Sequence, residues 1–214
     1  MTEIFRLWLI SFLVIFGPIG IAFAESNTRP PEDIALDASN DLMLLVRQSR
    51  SYTGKDAERL FIEVEDLLSV VVDFESFARG VMAVHYKRAS EEQRQKFIST
   101  FKWGLVRTYT HALTEFADGK LSLIPNTKEQ RNPRYRNVKM QIRTRSGDIY
   151  PIVYVMRLDK SQAWRLANLV VNGINIGLTY RSQFASALQK PEYKGDLGKL
   201  IDDWADVIGK DDLK

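Results

Sequence analysis

The chain of 214 residues contains no cysteine. That excludes disulfides, thiol catalysis and cysteine-ligated metals, so the fold must rest on its core. Histidine is nearly absent too: His85 and His111 are the only two, and they fall in different helical segments. His111 and Glu115 share a helix face at i,i+4, but zinc needs more ligands than these, and the pair reads as a surface hydrogen bond. Asp202, Asp203 and Asp206 stand close together without the glycine pattern of a calcium loop, and read as a solvated helix face. Gly-rich phosphate loops, nucleophile elbows and HExxH motifs are missing, as are internal repeats and low-complexity tracts. No side chain is expected to do catalytic work.

Apolar length is confined to the N-terminus. Arg6 precedes the apolar Leu7–Phe16, Pro18 and Gly20 break the run, and Ala22-Phe23-Ala24 forms a small-x-small site. This is the layout of a secretory signal peptide, with an apolar core shorter than the ~20 residues a membrane span needs. Residues 1–24 are expected to be removed near Ala24, leaving one domain over 25–214 in a bacterial periplasm. The formal net charge of +3 is mildly basic. Export makes nucleic acid an unexpected partner, while weak attraction to anionic membrane surfaces stays open.

Helical periodicity dominates the first half. Ile34, Leu42, Leu45 and Val46 mark a helix over Asp33–Ser49. Leu60, Phe61, Val64, Leu67 and Leu68 mark a second over Ala57–Val70. Asp73 is placed to cap a third over Phe74–Met82. Ser90 and Gln93 form a capping box that opens the longest helix, Glu91–Phe116. After Gly119 the period becomes alternating, with strands at Lys120–Ile124, around Val138–Thr144, at Ile149–Leu158 and at Trp164–Val171. Helices follow at Ile176–Leu188 and Leu197–Ile208. Helices, an antiparallel meander of about four strands, then helices define an α+β domain.

Two features invite function. Along Ile149–Leu158 both faces are apolar, so both need cover; one reading is a packed central strand, the other a cavity wall roofed by the long helix. The cations Lys128, Arg131, Arg134 and Arg136, with Lys139, Arg143 and Arg145, read either as solvated loop and strand positions or as one positive docking patch.

Two sequence blocks resemble a known family. The first runs from Val72-Asp73-Phe74 through Phe77–Arg94 and continues in register at Phe97, Phe101, Leu105, Thr108-Tyr109 and Leu113. The second runs from Trp164-Arg165-Leu166 to Val171-Asn172-Gly173-Ile174 and on to Tyr180-Arg181-Ser182-Gln183-Phe184. Together they resemble the MlaC or toluene-tolerance family of periplasmic phospholipid-binding transport proteins. Departures mark a divergent branch: Met82-Ala83 stands for the usual Leu-Gly, Tyr86 for Trp, and Asn168, Asn172 and Asn175 for Asp, Glu and Ser.

The resemblance implies a curved sheet wrapped by helices, with acyl tails in an apolar pocket between them. It also implies transport of phospholipid between an outer-membrane lipoprotein complex and an inner-membrane ABC-transporter complex in a Gram-negative bacterium, and so a role in outer-membrane lipid asymmetry. The expected pocket joins Phe101, Leu105, Tyr109 and Leu113 of the long helix to Met140, Ile142, Val153, Val155 and Leu166, with strand parity left open. Arg131, Arg134, Arg136, Arg143 and Arg145 are expected to serve docking. No cofactor or metal is expected, only phospholipid as cargo. The alternatives are another amphiphile, such as a hopanoid, or an exported enzyme using Asp73, His85 or His111.

Overall fold

The structure is a computed structural model that describes residues 29–51, 55–126 and 132–209. The proposed signal peptide and Arg131 lie outside the described residues.

Among the described residues, six α-helices and five strands run in the order α1 (Pro31–Gln48), α2 (Lys55–Val71), α3 (Phe74–Met82), α4 (Glu91–Phe116), β1 (Lys120–Ile124), β2 (Tyr135–Arg143), β3 (Ile149–Leu158), β4 (Trp164–Val171), β5 (Ile174–Asn175), α5 (Ile176–Leu188) and α6 (Leu197–Gly209). Local signals set most boundaries. Pro31 opens α1, with Glu32 and Asp33 in its first turn and Arg47 in its last, which suits the helix dipole. Asp73 caps α3 by accepting the Ser76 amide at 2.9 Å. The Ser90–Gln93 capping box is closed in both directions, at 2.9 and 3.1 Å.

The strands pair antiparallel in sequence order, β1-β2-β3-β4-β5. The sheet is open and has one strand more than the sequence reading expects. The two residues of β5 are too few to carry a periodicity and pair only with Val170 and Val171. Thr144 belongs to the β2–β3 turn, where Gly147 takes φ +95°. Gly119 sits so close to β2 that a Cβ there would lie 2.5 Å from Cγ2 of Ile142; only glycine allows the chain to leave α4 and enter the sheet at that point.

Register decides which residues face the helices. Met140 pairs with Ile152 and Val138 with Tyr154, while Lys139 pairs with Val153 and Asn137 with Val155. Cross-strand partners share a face, so Val138, Met140, Ile142, Ile152, Tyr154 and Met156 form the inner side. A bulge in β4 opposite Val155 and Met156 inserts Ala167. The extra residue switches parity, and Leu169 and Val171 join Trp164 and Leu166 in the inner cluster.

Apolar packing divides in two, with a smaller bridge. A helical core joins α3, the first half of α4, α5 and α6 around Phe97, Phe101, Phe184 and Trp204, all fully buried. Their rings meet edge-on or tilted at centroid distances of 5.1–5.5 Å, except for the stacked Phe97–Phe101 pair at 5.7 Å. The inner sheet face packs instead on α1, through Ala35 with Ile34 and Leu36. Leu60 and Val64 of α2 with Val106 of α4 form the bridge beside α1.

Candidate functional site

An apolar chamber of about 50 Å³ lies where α1 and the end of α2 cross the sheet. Ile34, Ala35, Ala38, Ser39 and Leu42 of α1, Leu68 and Val71 of α2, Val72, and Tyr154, Met156 and Leu166 of the sheet line it. Small side chains on α1 shape it. Ala35 and Ser39 are buried where larger residues would hold the helix off the strands. The one polar contact inside is satisfied: Ser39 donates to the Ala35 carbonyl at 2.6 Å and lies 2.8 Å from the Tyr154 hydroxyl, which must then be the donor. Burial pushes the Tyr154 hydroxyl above its ordinary pKa, so it stays neutral in the apolar wall.

An open polar groove of about 500 Å³ lies beside it, lined by Ser69, Val72, Asp73, Phe74, Gln95, Ile98, Ser99, Lys102, Asp159 and Arg165. Val72 lines both cavities. The segment is pinned to the sheet by a parallel bridge between Val72 and Leu166 and by the Asp73 amide donating to the Leu166 carbonyl at 2.9 Å. Strand alternation separates the two chemistries: Leu166 faces the chamber and Arg165 the groove.

The groove acids already have donors. Asp73 accepts from Ser76 and forms an ion pair with Arg157. Partial burial opposes its ionisation, but the Ser76 amide and hydroxyl and the Arg157 guanidinium outweigh burial and hold its pKa below the ordinary value. The Ser161 hydroxyl, the Ala163 and Ser161 amides and Arg165 hold Asp159 at about 2. Lys102 pairs with Glu65.

The structure separates the residues that the sequence reading grouped as one pocket. Only Leu166 lines the chamber. Met140 and Ile142 are buried in the inner sheet face beside it. Val153 and Val155 lie on the opposite face, half-buried and outside the apolar clusters. Phe101 and Leu105 belong to the helical core, Tyr109 packs against its edge, and Leu113 is half-buried in neither cluster. The roof of the chamber is α1 with α2, while the long helix packs its first half on α3, α5 and α6 and Val106 on α2. Among the described side chains of α4, Phe116 is the one in the inner-sheet cluster, with its ring 4.9 Å from Tyr150. The missed lining residues left a weak signal: Ala35, Ala38 and Ser39 repeat at helical spacing, but small residues do not read as an apolar stripe.

The basic residues do not share one patch. Arg134 donates to the Leu158 and Asp159 carbonyls at one end of β2, with Arg136 nearby. Arg143 lies at the other end, and Arg145 and Arg50 meet there on Asp118. Arg50 and Arg145 hold the Asp118 carboxyl below its ordinary pKa. Of the enzyme candidates, Asp73 serves as cap and ion-pair partner, and His85 packs 6.1 Å from the Phe184 ring. The His111 side chain lies outside the described residues. Among the described residues no three His, Asp or Glu side chains gather to hold a metal, and no helix is long and apolar enough to cross a membrane.

An open meander roofed by helices, with an apolar chamber between the layers and a separate helical core, makes this an α+β protein with a cavity between its layers. The family model described as MlaC protein matches residues 36–206, and the chain belongs to that family. It is similar to the toluene tolerance protein ttg2D of Pseudomonas putida, with 28% identity over 98% of this chain and 94% of the relative. It is also similar to the intermembrane phospholipid transport system binding protein MlaC of Haemophilus influenzae, with 27% identity over 72% of each. The fold matches a phospholipid-binding protein from Ralstonia solanacearum, solved in complex with a phospholipid, at TM-score 0.70 and 19% identity, covering 84% of this chain and 98% of that one.

Proposed function

We propose that this protein is a periplasmic phospholipid carrier that holds acyl tails in the chamber between α1, α2 and the inner sheet face. The observation that carries the reading is the chamber itself, apolar apart from the paired Ser39 and Tyr154 hydroxyls and placed between α1, the end of α2 and the inner sheet face. The family and the phospholipid complex of the similar fold support the same cargo. Two tails with about 30 methylenes expose roughly 24 kcal/mol of apolar surface to water at ~0.8 kcal/mol per CH₂. A carrier offsets most of this with a continuous apolar wall.

At about 50 Å³ the chamber is far smaller than the ~300–1,000 Å³ of ordinary ligand pockets. Loading therefore requires α1 and the sheet to separate. At the chamber α1 meets the sheet largely through the small Ala35, Ala38 and Ser39, whereas the helical core is locked by Trp204 and the phenylalanines; opening at this seam leaves those rings packed. In this reading residues 1–24 direct export and are cleaved near Ala24. The carrier passes lipid between an inner-membrane ABC-transporter complex and an outer-membrane lipoprotein complex, meeting them through basic residues at the ends of β2.

Solvent extraction of the purified protein followed by mass spectrometry tests the cargo. A stoichiometric phospholipid is expected, and a hopanoid or a lipid-free protein would overturn the assignment. Ala38→Phe, which projects a ring into the chamber from α1, is expected to cut bound lipid several-fold while the melting temperature stays within a few degrees.

A further inference from the structure

We propose that the polar groove beside the chamber binds the phosphodiester of the cargo lipid, so that tails and headgroup lie on the two sides of Val72. The inference rests on the carrier reading above. Three observations carry it.

The first is continuity. Val72 lines both cavities. A lipid whose tails fill the apolar side carries its glycerol past Val72, and the next space it meets is the groove of about 500 Å³, ample for a headgroup.

The second is an imbalance between donors and acceptors. Asp73 has its two oxygens engaged by the Ser76 amide and by Arg157. Asp159 accepts the Ser161 hydroxyl at 2.7 Å, the Ala163 amide at 2.9 Å and Nε of Arg165 at 3.4 Å. The cations spend far less. Arg165 uses one of its five N–H groups on Asp159, and Lys102 one of three on Glu65. Ser69, Ser99 and Gln95 add hydroxyl and amide groups to the same walls. The groove holds spare donors around acids already satisfied, which is what an anionic oxygen requires.

The third is rigidity. Arg165 extends from a strand paired on β3, and Lys102 from the turn of α4 beside the buried Phe101. Both cations are aimed by packed elements rather than loops, so little ordering entropy is lost on binding. Strand alternation repeats the division at Met156 and Arg157: the methionine lines the chamber and the arginine meets Asp73 at the groove.

The test compares dioleoylphosphatidylethanolamine with dioleoylglycerol, which has the same tails and no phosphate. Each is loaded from vesicles onto the protein and counted by native mass spectrometry. The variants are Arg165→Gln and the pair Lys102→Gln/Glu65→Gln, which removes the lysine without stranding its carboxylate partner. Each is expected to lower phospholipid retention about tenfold, the cost of one charge-assisted contact, and to leave dioleoylglycerol unchanged. Arg165→Lys, which keeps the charge, is expected to recover part of the loss. Equal losses for both lipids, or no loss, would overturn the headgroup site and leave the carrier reading standing. A wild-type protein that takes up neither lipid would overturn both. Inorganic phosphate titrated into the lipid-free protein separates the sources. Saturable binding of phosphate alone, lost in the variants while phospholipid retention is unaffected, would assign the groove to free phosphate and overturn the proposal.

Discussion

Single residues in this chain show where family departures carry a structural cost. Ala83 stands where the related pattern has glycine, and its backbone lies at φ 50°, ψ −120°. That region is open to glycine and strained for a residue with a Cβ. The strain sits at the C-terminus of α3, directly after the buried Met82 and before a 3-10 turn over Ala83–His85. Packing of Phe77, Val81 and Met82 into the helical core holds it there. Ala83→Gly is therefore expected to stabilise the protein by about 1 kcal/mol, because relief of the strained backbone exceeds the entropy that glycine adds to the unfolded chain. A rise of ~3 °C in melting temperature would register it, and a fall would show that Ala83 is not strained. Nothing in the apolar pattern marks this position, because φ is set by the chain entering and leaving the turn.

At the scale of elements, the three asparagines that depart from the family pattern form a joint between β4 and α5. Asn175 caps α5 by accepting the Leu178 amide at 3.0 Å. Asn168 donates to the Asn175 side chain at 2.9 Å and accepts the Gly177 amide at 3.0 Å. Asn172 takes φ 48° in the turn between β4 and β5, a left-handed conformation that asparagine tolerates. The joint satisfies two of the first amides of α5. Asn168→Ala removes two hydrogen bonds and is expected to cost about 2 kcal/mol in urea unfolding. Asn175→Ser keeps a capping oxygen and is expected to stay within ~0.5 kcal/mol of the parent. Equal costs for the two would show that Asn168 contributes nothing beyond the cap. The sequence placed β4, the Asn-Gly turn and α5 in order; the interlock between residues seven and nine apart appears only when β5 folds the chain back.

For the whole molecule, the division between an aromatic helical core and a roof that meets the sheet through small side chains is the property that matters most for the proposed carrier. Arg136 and Arg143 stand at opposite ends of β2, about 23 Å apart at ~3.3 Å per residue, with Arg134 and Arg145 just beyond them. These cations cannot meet one partner as a compact patch. Arg145 and Arg50 meet on Asp118, and Arg143 ends the same strand nearby, a net positive end where exposed charge acts on encounter rates rather than on stability. Reversal of both, Arg143→Glu with Arg145→Glu, is expected to slow lipid delivery to a membrane-embedded partner about tenfold at low salt. Because exposed charges are screened within ~8 Å at physiological ionic strength, the difference should shrink as salt is raised. Transfer that is unaffected by the reversal, or equally unaffected by salt, would remove this end from docking.

The element order was determined by the sequence alone, because each signal is local. The Asp73 and Ser90 caps, the Gly119 break and the shift from helical to alternating period are decided by neighbours a few residues away. The family was also legible, through the two blocks at Val72–Leu113 and Trp164–Phe184. What only the tertiary structure decided was which surfaces meet. Both faces of β3 are apolar, so composition could not choose between Val153 with Val155 and Tyr154 with Met156; the pairing of Met140 with Ile152 made that choice. The bulge at Ala167 then reversed parity within β4. Phe101 and Leu105 lie on the apolar face of the longest helix, and the structure packs them into the helical core with Phe184 and Trp204. The chamber fell instead to Ala35, Ala38 and Ser39, whose small size yields little hydrophobic signal but lets α1 rest against the sheet.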